Sequence, residues 1–171
     1  MKNIFIFAFI LIVSGSYGGL STYQKLSEVN KCWMEQKGIL VPEMDNSKLN
    51  EKDWIQLHLA LVEQTLRARE TNHLDRTKQF NRSRCLDILH RYWKDANFPI
   101  NEDYAYRTPI FIDKHDNFCA VGFLIKETGH EQISRKIAAQ TNLAYVREIN
   151  YSELGKWADE NGFTVDELAW I

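Results

Sequence analysis

Between Asp113 and Cys119 the chain sets two carboxylates, an imidazole, an amide and a thiol within seven residues. Carboxylates and an imidazole drawn together by a tight turn can hold a divalent cation or relay a proton. The turn Asp113-Lys114-His115-Asp116-Asn117 does not make an EF-hand. That loop needs glycine at its sixth position and glutamate at its twelfth, and Phe118 and Leu124 stand there. Asp and Asn are also the ordinary residues of hairpin turns, because their side chains hydrogen-bond nearby backbone. That structural use is the expectation for this segment. Cys119 is the second candidate, as a nucleophile served by His115 or His130, which requires a base within reach and a depressed thiol pKa. An exported cysteine beside Ala120 and Val121 is more often bridged or buried. The third candidate is a pocket at Arg107, rimmed by Tyr104 and Tyr106, for a carboxylate or sugar ligand. Its plainer alternative is an ion pair tying Arg107, Arg82, Arg84 or Arg91 to Asp113 or Asp116.

The five histidines (His58, His73, His90, His115 and His130) show no spacing that places two ligands on one face, so no metal site is expected. His58 falls on the apolar side of a helical pattern and reads as a core histidine. No glycine-rich phosphate loop and no G-x-S-x-G turn occurs, and no cofactor is implied.

The elements that position these groups are mostly helical. Tyr23, Leu26, Val29, Trp33 and Met34 predict a helix over Leu20 to Gln36. Asn50 with Asp53 forms a capping box for a second, on which Trp54, Leu57, His58, Leu61, Val62, Thr65 and Leu66 keep the three-four repeat. Glu63 and Arg67 are spaced for a surface pair on it. A third runs from about Thr77 to Lys94, with Asn81, Cys85, Ile88, Leu89 and Tyr92 facing inward, and ends before Phe98-Pro99. Segment 99–108 reads as an ordered loop. Ile110 to Ile112 and Phe118-Cys119 flank the polar turn as a short hairpin. Helix resumes at about Ala120, and Thr128 with Glu131 is placed to cap the next, whose inner face carries His130, Ile133 and Ile137. Ser152 opens a helix with Leu154 and Trp157 that Asn161-Gly162 ends. Thr164 and Glu167 cap the last turns through Leu168 and Trp170.

The segment RTPIFIDKHDNFCAVGFLI, then TGH and later NGFTVDELAWI, resembles a group of exported bacterial proteins. They share a proline-led F-x-D strand, a Cys-Ala-Val-Gly segment and a C-terminal Gly-x-Thr-x-x-Glu-Leu-Ala helix. The resemblance covers about Asn81 to Ile171. It implies a bacterial source and a shared fold, and it carries over no site residue.

With 171 residues, 44% hydrophobic and 26% charged, the composition fits one globular core. The net charge of −2 argues against a nucleic-acid partner, which calls for basic excess. Lys2, the apolar run Ile4 to Val13 and the small residues Ser16 and Gly18 predict a signal peptide over residues 1–18, too short to span a bilayer. The mature chain would begin near Gly19, free of the membrane. Export makes a disulfide permissible, and three cysteines allow one intramolecular bridge. Cys85 suits a buried thiol, so Cys32 with Cys119 is the preferred pair, with other pairings and no bridge left open. The sequons at Asn81 and Asn150 matter only in a eukaryotic source. The expectation is therefore a mainly α, compact multi-helix domain over residues 19–171 with one small central β-hairpin, secreted or periplasmic. Its expected role is a non-catalytic binding or interaction module for an unidentified protein or small molecule. The alternative is a small hydrolase or thiol enzyme using Asp113, His115, Asp116 and Cys119.

Overall fold

Ser21 and Gln24 each accept the other's backbone N–H, and this capping box starts α1 (Thr22–Val29). The computed structural model describes residues 20–171 apart from Lys37 and Asn46, so the expected leader lies outside the described residues. The single helix expected over Leu20 to Gln36 is broken at Asn30, which is extended (φ −142°, ψ 118°). Its side chain explains the break. The amide oxygen accepts from Cys32 N–H and starts a 3₁₀ turn (Lys31–Glu35), while Nδ2 donates to the carbonyls of Ala169 and Trp170. The interruption ties the first helix to the last.

Asn50 and Asp53 close the expected capping box of α2 (Glu51–Ala68), which buries Trp54, His58, Leu59, Val62, Glu63 and Leu66. Asp75 caps α3 (Arg76–Asp95) by accepting from Lys78 N–H, and α3 ends on Ala96 in the left-handed region (φ 53°). Cross-helix partners run Gln56 to Trp93, Glu63 to His90 and Arg67 to Asp87, so the two helices are antiparallel. The inner face of α3 differs from expectation at its start. Arg82 is buried and Asn81 is only half-buried, with its amide on the Glu160 carbonyl.

The central stretch carries less strand than expected. Ile112 and Phe118 form one antiparallel bridge, and no sheet is present among the described residues. Pairing stops there because Cys119, the next residue after Phe118, caps a helix that starts at Ala120, and no third strand can add on the outer side of Ile112. Its N–H and C=O both bind the side-chain amide of Asn142, and Phe111 N–H donates to the Asn142 carbonyl. A single residue occupies the edge that a third strand would need.

Cys119 then caps α4 (Ala120–Ile125), as the sequence predicts for the helix start. A wide π-type turn (Lys126–His130) leads through Gly129, at φ 89°, into α5 (Glu131–Thr141). Thr128 does not cap α5. Its hydroxyl donates to the Leu124 and Ile125 carbonyls and accepts from the Trp157 indole N–H.

A 3₁₀ turn (Val146–Glu148) precedes α6 (Ser152–Glu160), and the Thr164–Glu167 box starts α7 (Val165–Trp170). Gly162, at φ 68°, joins them. A Cβ there would lie 2.9 Å from the Lys78 carbonyl oxygen, so the α6–α7 corner needs glycine to sit against α3. The architecture is mainly helical around one apolar core. Trp33, Trp157 and Trp170 are fully buried with Leu26, Leu59, Leu66, Leu89, Leu124 and Leu168, each leucine contributing about 2 kcal/mol by leaving water. Among the described residues no helix is long and apolar enough to cross a membrane.

Candidate functional site

Asp113 is the pivot of the polar turn, and its carboxylate is committed to three backbone N–H groups and the Asn117 side chain. One oxygen accepts from His115 and Asn117 N–H, both at 2.9 Å. The other accepts from Ile100 N–H at 2.9 Å and the Asn117 amide at 3.0 Å. Burial raises the Asp113 pKa, but these four donors outweigh it and hold the carboxyl below the usual aspartate range. Asp113 therefore fastens the 99–108 loop to the turn.

The neighbouring groups point elsewhere. Asp116 adopts φ 66° and pairs with Arg135 on α5, whose N–H donors hold its carboxyl low. His115 is exposed and meets Glu102 at 3.1 Å, while Lys114 pairs with the same glutamate. The Cys119 thiol accepts from Gly122 N–H at 3.4 Å as a helix cap, and burial pushes its pKa up to about 11. Among the described residues neither His115 nor His130 is hydrogen-bonded to Cys119. His130 sits at the start of α5 with Nδ1 buried and unpartnered. A nucleophile needs a thiolate and a base in contact, and this arrangement has neither.

The preferred disulfide is not formed: Cys32, Cys85 and Cys119 are free thiols. Cys32 belongs to the 3₁₀ turn that packs on α1 and α7, and its thiol reaches the Ala169 carbonyl. Cys119 opens α4, which packs on α3 and α5, so the fold delivers the two sulfurs to different neighbours. Cys85 donates to Asn161 inside the core and burial raises its pKa to about 12.

Arg107 leaves the central turn and pairs with Glu51 in the first turn of α2. None of the α3 arginines reaches Asp113 or Asp116. Arg82 instead makes a bidentate pair with Glu167, at 2.8 Å through both nitrogens. Tyr104 and Tyr106 do come together, with ring centroids 5.8 Å apart, in a loop locked by Asn101. Tyr104, Asp113 and Lys114 also share an open recess of about 530 Å³ with Ile100, Asp103, Ile110 and Ile112, with Ala138, Ala139 and Gln140 at the end of α5, and with Asn142 and Leu143 just beyond it. Tyr106 and Arg107 lie outside it.

Two buried polar centres went unread in the sequence. The Glu63 carboxylate accepts from Arg67, as the spacing predicts, but it is buried rather than at the surface, and it also accepts from the Trp93 indole and contacts His90 Nδ1. Burial raises its pKa and these partners bring it below the ordinary glutamate value. The second is Arg82 with Glu167. The available signal was position, since Glu63 lies between the inward-facing Val62 and Leu66, and Arg82 one turn before Cys85. Among the described residues no group of three or more His, Cys, Asp or Glu side chains is arranged to hold a metal ion.

Replacing Asp113 with alanine would strand four donors at once. The expected loss is about 3 kcal/mol of stability, read as a lower urea midpoint. A loss under about 0.5 kcal/mol, typical of a neutral surface position, would show that the turn does not depend on this carboxylate.

No protein-family model, no curated protein and no solved structure matches this chain.

Proposed function

We propose that the protein is an exported bacterial binding module without catalytic activity, whose ligand seat is the recess beside the Asp113 turn. One observation carries this reading. The recess sets apolar side chains, Ile100, Ile110, Ile112 and Leu143, beside an equally prominent set of polar groups, Asp103, Gln140 and Asn142, so it offers apolar contact and hydrogen-bonding edges together. The acid, imidazole and thiol that catalysis would need are each engaged apart from one another. Export rests on the sequence, through Lys2, the apolar run that follows and the small residues after it.

The lining favours an uncharged ligand. Lys114 is the one cation on the wall and is paired with Glu102, while Asp103 and Asp113 both line the recess, so its charge is net acidic and disfavours an anionic ligand. Tyr104 and Leu143 offer apolar faces, and Asp103 and Gln140 offer hydrogen-bonding edges. A saccharide, with one apolar face and a rim of hydroxyls, matches that pattern.

A panel of mono- and disaccharides titrated into the protein by calorimetry tests the proposal. At least one should bind saturably, and Tyr104→Ala or Gln140→Ala should weaken it at least tenfold while leaving the melting temperature in place. No saturable binding across the panel would sink the saccharide reading. Rapid labelling of Cys119 by iodoacetamide at neutral pH would instead favour the thiol-enzyme alternative, because a thiol raised to about 11 should react slowly.

A further inference from the structure

A second recess, of about 210 Å³, opens where the end of α2 meets the first half of α3. Its polar wall is Arg67, Arg69, Arg82, Thr71, Gln79 and Ser83, and no carboxylate lines it. Arg82 is the decisive residue. Its side chain is 5% exposed, and its terminal nitrogens are engaged with Glu167 and the carbonyls of Gly162 and Leu66. Its Nε is buried with no hydrogen-bond partner. That N–H lies on the same edge of the planar guanidinium as Nη2. This is the edge that reaches Leu66, itself a wall of the recess.

The other two arginines also keep donors in hand. Arg67 uses Nε and Nη2 on Glu63 and Asp87, leaving Nη1. Arg69 uses Nη1 on Glu167 and reaches Gln36 with Nη2 at 3.5 Å, leaving Nε. We propose that this recess binds a phosphate-sized oxyanion between Arg67, Arg69 and the hydroxyls of Thr71 and Ser83, with the buried Arg82 guanidinium and its unpartnered Nε beneath the floor. A buried N–H without an acceptor is rare in folded proteins, and an oxyanion is the partner that suits convergent guanidinium donors. Glu63, Asp87 and Glu167 stand behind the arginines and offset their charge. The recess therefore fits a small anion and does not draw in a polyanion. This site is independent of the saccharide recess.

Calorimetric titration of the full chain with inorganic phosphate, at ionic strength held constant with chloride, tests the proposal. One saturable site is expected, with a dissociation constant of about 1 mM or below, and sulfate, which has the same shape, should displace phosphate. Ser83→Glu places a carboxylate among the guanidiniums from an exposed helical position. It should abolish binding while circular dichroism and melting temperature stay as in the wild type. Arg67→Gln, at a partly exposed position, should weaken binding several-fold. Absence of saturable heat up to about 10 mM, a tenfold margin over the expected constant, would overturn the site. So would phosphate binding that survives both Ser83→Glu and excess sulfate.

Discussion

Lowering the pH from 6.5 to 4.5 should destabilise the protein by about 2–3 kcal/mol through His58 alone. His58 is buried on α2, where its Nδ1 accepts from the Trp33 indole N–H at 2.9 Å. That bond assigns the proton to Nε2. Burial is the main reason its pKa falls from 6.5 to about 3; the backbone of Ile171 opposes the shift and the charge of Arg107 adds to it. The unfolded chain takes up this proton as pH falls below about 6.5, and the folded chain resists it until about 3. His58 therefore contributes its full stability above 6.5 and loses it progressively as the pH falls toward 3. Asp113, Glu63 and Glu167, all held below their ordinary values, add their own losses only below the usual carboxylate range. The window from 6.5 to 5 therefore isolates the histidine. Urea unfolding across it should show the slope in the wild type and a much flatter line in His58→Gln. Equal slopes in the two proteins would exclude His58 as the source.

Glu167→Gln should cost about 3–5 kcal/mol, because it leaves the buried Arg82 cation without its counter-charge. The glutamate is 8% exposed and ties three elements together. It accepts both Arg82 nitrogens at 2.8 Å, Arg69 at 2.9 Å and the Thr164 N–H of its own capping box at 3.1 Å. Burial raises its pKa and these partners more than reverse the effect. The double variant Arg82→Met with Glu167→Leu should recover part of the loss, since apolar replacement removes both desolvation costs together. Recovery should stay incomplete, because the Gly162 and Leu66 carbonyls lose their donor. Denaturant midpoints of the wild type, the single variants Arg82→Met and Glu167→Leu, and the double variant give the coupling energy directly. A single-mutant cost below about 1 kcal/mol, the level of an exposed pair, would mean the bridge is solvated.

What the chain states by itself is what can be settled within a few residues. The boxes Asn50–Asp53 and Thr164–Glu167 start α2 and α7 as read, because cap and partner are three residues apart and need nothing else. The three-four repeat of α2 names its buried face, His58 included, because helical period alone decides which side chains share a side.

Tertiary structure decided which partner each polar group meets. Asn30 breaks a run that its neighbours would continue, because its amide finds carbonyls at Ala169 and Trp170. The hairpin shrinks to one bridge because Cys119 already caps α4, and Asn142 closes the outer edge of Ile112 to any further strand. Cys32 and Cys119 stay apart because the turn and helix that carry them pack on different neighbours. Arg82 finds Glu167, 85 residues away, where the spacing places Asn81 and not Arg82 on the inner face of α3. Period and capping are local geometry, repeated every few residues, and so are written in order along the chain. A hydrogen-bond partner is fixed by the packing of whole elements, and many carboxylates or carbonyls are equivalent until that packing leaves one of them within 3 Å.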